Sequence, residues 1–146
     1  DRREGALAEL AEHGIQPNSA DLPLAADSVV LDDETRRHLT ERLQSSDRPT
    51  GIIAGGFYLA LATMQIIRQL GMDIPGDVSV VGFDDPTSAS MLHPPLTTVR
   101  QPLQRMAGRA YESICRIAAE SGARTRSCRL PAELIVREST AAPSIL

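Results

Sequence analysis

The sequence predicts an α/β protein built on a doubly wound parallel sheet, and three observations carry that expectation. Short β-branched runs alternate with longer stretches of helical period. The run at 78–83 is nearly all apolar, as a strand covered on both faces requires. Glycine, proline and paired aspartates fall between the runs, where breakers and caps belong.

The elements follow in order. Residues 2–13 place Ala6, Leu7, Leu10 and Ala11 at helical spacing, and Gly14 closes the helix. A connection rich in Pro, Asn and Asp fills 15–27, and 28–31 reads as a short strand. Asp32 and Asp33 offer a carboxylate to the free N–H groups of a helix that runs to about Leu43. Pro49 precedes a strand at 50–54. After the Gly55-Gly56 breaker, Phe57, Ala60, Leu61, Met64, Ile67 and Leu70 mark a second helix, ended by Gly71. The apolar strand 78–83 stops at Asp84-Asp85-Pro86, and 96–100 is another strand. Leu103, Met106, Ala107, Ala110, Ile114, Ile117 and Ala118 form one face of a helix over 103–121. Residues 126–130 and 133–137 read as strands on either side of Pro131. Crossovers in such a sheet are right-handed, and ligands sit beyond the carboxyl ends of its strands. That rule singles out the loops at Gly55-Gly56 and Asp84-Asp85.

Composition narrows the function. The 146 residues suit one ordinary domain, with 42% hydrophobic and 23% charged side chains. Only four aromatics occur, Phe57, Tyr58, Phe83 and Tyr111, so the core rests on aliphatic side chains. A net charge of −4 with no basic stripe argues against nucleic-acid binding by this segment itself. All 15 basic residues are arginine, which reads as codon bias. Cys115 and Cys128 make no metal-ligand pattern, and His13, His38 and His93 stand far apart, so no metal or other cofactor is expected. No apolar run is long enough to span a bilayer and no export signal is readable. No phosphate loop, dinucleotide fingerprint or Ser-His-Asp order is present. Asp84 and Asp85 are adjacent and point apart, which suits no two-carboxylate hydrolase. An enzyme is therefore not expected.

Several stretches point to one family. Residues 72–85 read Met-Asp-Ile-Pro-Gly-Asp-Val-Ser-Val-Val-Gly-Phe-Asp-Asp. Residues 93–102 read His-Pro-Pro-Leu-Thr-Thr-Val-Arg-Gln-Pro, with Met-Ala-Gly at 106–108. Residues 130–140 read Leu-Pro-Ala-Glu-Leu-Ile-Val-Arg-Glu-Ser-Thr. Arg2 and Gly5 fit Arg-x-x-Gly, and Pro49-Thr50 precedes a strand. In order and spacing these motifs resemble the effector-binding core of the LacI/GalR regulators, across almost the whole chain.

The resemblance implies a type I periplasmic-binding-protein-like fold, mostly its C-terminal subdomain. Residues 1–100 would belong to that subdomain, 101–130 to part of the N-terminal one, and 131–146 to the return and tail. It also implies a small sugar-like effector in an interlobe cleft, a homodimer, and a cytoplasmic protein that reads operator DNA through an upstream helix-turn-helix. The chain opens at Asp1, inside a helical pattern and without Met, so an upstream portion is expected. A solute-binding protein of a sugar transport system, which shares the general fold, is the competing expectation.

By the same resemblance the effector site gathers Asp84, Arg2, Gln101, Leu103, Gly56 and Phe57. A carboxylate at 84 accepts hydroxyl hydrogens in charge-assisted bonds, or it caps a turn. Arg2 brings five donors, or it is a solvated arginine at the chain start. Gln101 offers donor and acceptor at the crossover and Leu103 an apolar wall, or both are ordinary hinge and helix-start residues. Asp85 reads as a cap for the next short segment. The family's usual polar pair, often Asn-Asp, is replaced by Gly56-Phe57. Phe57 then stacks on a ligand or simply begins the core face of its helix. The dimer contact implied by the resemblance uses Leu61, Met64, Gln65, Arg68, Met91 and Leu92, with burial of Leu61 and Met64 inside the monomer as the alternative.

Overall fold

A computed structural model describes residues 2–16, 31–119, 124 and 127–143. Helix α1 (Arg2–Glu12) closes on Gly14, whose φ of 69° lets Ile15 N–H reach back to the Leu10 carbonyl at 2.8 Å. Helix α2 (Asp33–Gln44) is capped by Asp32, whose carboxylate accepts from Thr35 N–H at 2.7 Å. That bond holds the Asp32 carboxyl below its ordinary range. Strand β1 (Gly51–Ile53) leads through Gly55-Gly56 to helix α3 (Phe57–Gln69). Strand β2 (Ser79–Phe83) is followed by a 3-10 turn (Thr87–Met91), strand β3 (Thr97–Arg100), helix α4 (Leu103–Ala119) and strand β4 (Glu133–Ile135).

The sheet runs β1-β2-β3-β4. The first three strands are parallel, with Ile52 opposite Val80 and Val81 opposite Thr97. Strand β4 is antiparallel, Val99 facing Leu134 and Arg100 facing Glu133. An antiparallel edge on a parallel sheet is a common device, and the alternation of elements alone gave no sign of it.

Two expected strands fare differently. Residues 28–30 of the first lie outside the described residues. The second, at 126–130, is corrected: 127–130 form no strand, and 126 is not described. The segment has no ladder neighbour among the described residues. Strand β4 also stops at Ile135, short of the expected 137, because Arg137 N–H turns onto the Thr97 hydroxyl at 2.9 Å.

The core lies between α3, α2 and the sheet. Met64, Ile67, Val78, Val80, Leu96 and Leu43 are buried, each worth roughly 1.5–3 kcal/mol of transfer free energy. Gly82 permits that packing: a Cβ on it would stand 2.9 Å from Leu96 Cδ2 and 3.3 Å from Ala60 Cβ. Met64 is 1% exposed, so its expected place on a dimer surface is corrected to the monomer core. Leu92 is half-buried and packs on the same cluster.

The segment after β4 is laced across the beginnings of β2 and β3. Buried Ser139 Oγ accepts from Thr97 N–H at 2.8 Å and donates to the Val80 carbonyl at 2.6 Å, while its own carbonyl accepts from Val80 N–H at 2.8 Å. Thr97 and Thr140 hydroxyls meet at 3.0 Å, and Ala141 N–H reaches Ser79 Oγ at 3.1 Å. Helix α4 is the exception to burial. It is strongly amphipathic, yet none of its residues is buried, and Leu103, Met106, Tyr111, Ile114 and Ile117 are all exposed. No helix among the described residues is long and apolar enough to cross a membrane.

Candidate functional site

The parallel strands end on one side of the sheet, and there the chain collects its polar groups. Asp84 directly follows β2. Its φ of 71° makes it the one non-glycine residue with a left-handed backbone among the described residues. Aspartate tolerates that region better than most residues, and such outliers cluster at functional sites. The neighbours enforce the conformation. Asp84 N–H donates to the Val99 carbonyl at 3.0 Å, and the Thr98 hydroxyl donates to the Asp84 carbonyl at 2.7 Å. The side chain is held as well, since Gln101 Nε2 donates to Asp84 Oδ1.

Arg2 comes from the start of α1 to the same edge. Its guanidinium lies 3.9 Å from the Phe83 ring centroid and donates to the Gly55 carbonyl. One cation therefore ties the end of β1 to the end of β2, and the ring stacking adds about 0.5–1 kcal/mol at an exposed site. Gly56 caps α3 without a side-chain hydrogen bond. A Cβ on Gly55 or Gly56 would meet nothing within 4 Å. Phe57 begins α3, half-buried against the core, with its ring edge-on to Tyr58 at 5.5 Å between centroids. Leu103 is exposed at the start of α4.

The structure thus brings Arg2, Asp84 and Gln101 to one edge, with Gly56 and Phe57 at the neighbouring strand end. The stacking of Arg2 on Phe83 was not anticipated, because Phe83 read only as the last residue of an apolar strand.

Asp85 is corrected. The 3-10 turn has Pro86 at its cap position and no side-chain cap bond. The Asp85 side chain is instead 3% exposed and gripped by two arginines. Arg100 Nε and Nη2 reach Oδ2 at 2.8 and 2.5 Å, and Arg137 Nη1 stands 2.8 Å from Oδ1. Arg137 also donates to the Leu96 carbonyl at 2.7 Å. The Arg137 contact, aided by Arg100 and opposed by burial, holds the Asp85 carboxyl below its ordinary range. Both arginines lie inside quoted motifs, but no spacing rule pairs them with residue 85.

Of the residues expected on the dimer surface, Gln65 and Arg68 are exposed and Leu61 is partly so, while Met91 is 77% exposed. Tyr58 joins them, being 61% exposed and one turn before Leu61 on the same face of α3. Among the described residues no three His, Cys, Asp or Glu side chains are placed to hold a metal ion.

The chain matches the model of the periplasmic binding protein-like domain over residues 1–140. It belongs to the LacI family of transcriptional regulators. A probable opine utilization operon repressor from Rhizobium rhizogenes is 32% identical, with the match covering 87% of this chain and 67% of that protein. A LacI-family regulatory protein from Chloroflexus aggregans superposes with a TM-score of 0.82 at 26% identity, over 97% of this chain and 50% of the other. The transcriptional regulator CelR, solved as a cellobiose complex, gives a TM-score of 0.74 at 30% identity, over 93% and 41%. This LacI-family chain spans from 26% to 67% of the first curated relatives it matches.

Proposed function

We propose that this chain is the ligand-sensing and dimer-forming part of a bacterial LacI-type regulator, and that its effector is a small, hydroxylated, sugar-like molecule. The observation that carries the proposal is Asp84, held in a left-handed turn at the carboxyl end of β2 with Gln101 on its carboxylate. A carboxylate and an amide fixed side by side match the paired donor and acceptor character of vicinal hydroxyls. Arg2 stacked on Phe83 supplies further donors from the next strand end. Gly56, Phe57 and Leu103 form the rest of the rim.

The site is half of a cleft. Residues 1–100 form the C-terminal lobe, 101–130 pass into an N-terminal lobe, and 131–146 return. The exposed apolar face of α4 and the re-entry of β4 beside β3 support that division. Effector bridging the lobes favours one hinge state over the other and shifts the population toward it. Two protomers meet through Tyr58, Leu61, Gln65 and Arg68 of α3 together with Met91. The pair holds two upstream helix-turn-helix heads at half-site spacing on operator DNA, in the cytoplasm.

The test is a carbohydrate panel titrated into the intact protein while operator binding is followed by fluorescence anisotropy. One class of sugar changes operator affinity, and Asp84→Asn weakens that sugar by roughly tenfold to a hundredfold, the worth of a hydrogen bond to a charged group. No response to any sugar, or an unchanged response in Asp84→Asn, defeats the proposal.

A further inference from the structure

We propose that Asp85 is a positioning residue of the ligand site: with Arg100 and Arg137 it aligns the Asp84–Gln101 pair and ties it to the two segments where the chain leaves the sheet after β3 and rejoins it at β4. The inference rests on the proposed sensing role of Asp84.

The geometry is a two-by-two lock. Residues 84 and 85 are consecutive in the loop after β2, and residues 100 and 101 are consecutive at the end of β3. Gln101 grips Asp84 while Arg100 grips Asp85 through two nitrogens on one oxygen. Neither pair can slip without moving the other. Arg100 extends the lock to β4, its Nη1 lying 3.6 Å from Glu133 Oε2. Arg137, just past β4, takes the second oxygen of Asp85 and is itself fixed by the Leu96 carbonyl.

Stability alone explains this arrangement poorly. A buried ion pair barely offsets the desolvation of its charges, and apolar side chains of similar volume commonly serve as well or better. What two arginines on one carboxylate, one at each oxygen, do supply is fixed orientation. A ligand-gripping side chain needs that, since it must be held to within about 0.5 Å. A displacement of Asp84 is transmitted through Asp85 to both connecting segments.

The test uses the intact protein, with 15N-labelled glutamine side chains reporting on Gln101 and backbone hydrogen exchange at Thr97 reporting on the core. Asp85→Asn removes the charge at constant volume. Arg100→Gln removes the grip from a half-exposed position and preserves folding if the first variant does not. Both are expected to release the Gln101 amide, seen as a lost restrained signal and faster side-chain exchange, by a much larger factor than the fall in Thr97 protection that loss of the ion pair itself brings. Arg100→Lys, which keeps the charge, restores part of the restraint. In each loosened variant the tightest-binding sugar of the panel weakens about tenfold, the usual effect of losing a group that orients a ligand-contacting side chain.

A Gln101 amide equally restrained in wild type, Asp85→Asn and Arg100→Gln overturns the proposal. So does a loss of Thr97 protection by the same factor as Gln101, which is the mark of a merely structural role. The Gln101 reading needs no ligand. Loosening without any sugar binding in the wild type defeats the sensing proposal and not the lock.

Discussion

Ser139→Ala isolates a single buried oxygen. Ser139 is 0% exposed, and its hydroxyl bridges Thr97 N–H at 2.8 Å and the Val80 carbonyl at 2.6 Å. Removing it leaves a donor and an acceptor facing each other across a gap too small for water to enter easily. An orphaned buried polar group costs about 1–3 kcal/mol, so the pair costs about 2–4 kcal/mol once partial relaxation is allowed. Ser90→Ala is the control, because Ser90 Oγ donates to the Thr87 carbonyl at 2.8 Å but on an exposed turn. Water replaces that bond, and the expected cost is below about 0.5 kcal/mol. The assay is amide hydrogen exchange at Thr97 in the intact protein, read by mass spectrometry or NMR. At about 1.4 kcal/mol per tenfold, Ser139→Ala accelerates Thr97 exchange roughly thirtyfold to several hundredfold. Equal effects of the two substitutions would refute the reasoning, since both serines donate to a backbone carbonyl and the difference rests on the burial of Ser139 and its second bond.

Other outcomes follow from the same geometry. Met64→Ala empties a core site and destabilises the protein by about 2–5 kcal/mol in denaturant titration, whereas Leu61→Asp on the same helix leaves folding intact and separates dimers in sedimentation. A reversed pattern would move Met64 back to the interface. Gly82→Ala drives a methyl against Leu96 and Ala60 and costs about 1–3 kcal/mol by thermal unfolding; a neutral result would show that the α3–β2 approach is not tight. The depressed pKa of Asp85 sets a pH signature. Its ionised form is favoured in the folded state, so its contribution is fully present above the ordinary aspartate value of 3.8 and is lost as pH falls below that through the folded value. Wild type and Asp85→Asn should differ in stability by a constant amount at neutral pH, and the difference should shrink in acid. A gap that widens below 3.8 contradicts the assignment.

Periodicity set the helices to within a residue or two. Phe57 to Leu70 repeats apolar residues at 3.6-residue spacing, and α3 spans Phe57–Gln69 with Leu70 as its cap. The failures were of another kind. The stretch 126–130, Arg-Ser-Cys-Arg-Leu, reads as a strand beside Pro131, but strands exist only with partners, and its described residues have none. The Val-Arg-Glu-Ser-Thr run was legible as a motif and opaque as chemistry. Its arginine closes on Asp85 and its serine on Thr97 and Val80, contacts 52, 42 and 59 residues away in the chain.

Local order along the chain therefore determined the helices and most of the strands, where glycines and aspartates stop them, and that a glycine pair at 55–56 and a carboxylate pair at 84–85 lie beyond strand ends. These depend on spacing, backbone freedom and capping, which act within a few residues. Only the folded sheet decided that β4 runs antiparallel, that Met64 faces inward while Leu61 does not, and that Asp84 finds Gln101 while Asp85 finds two arginines. Such choices are made by burial and by charges meeting across the sheet, and neither exists until segments distant in sequence have packed together.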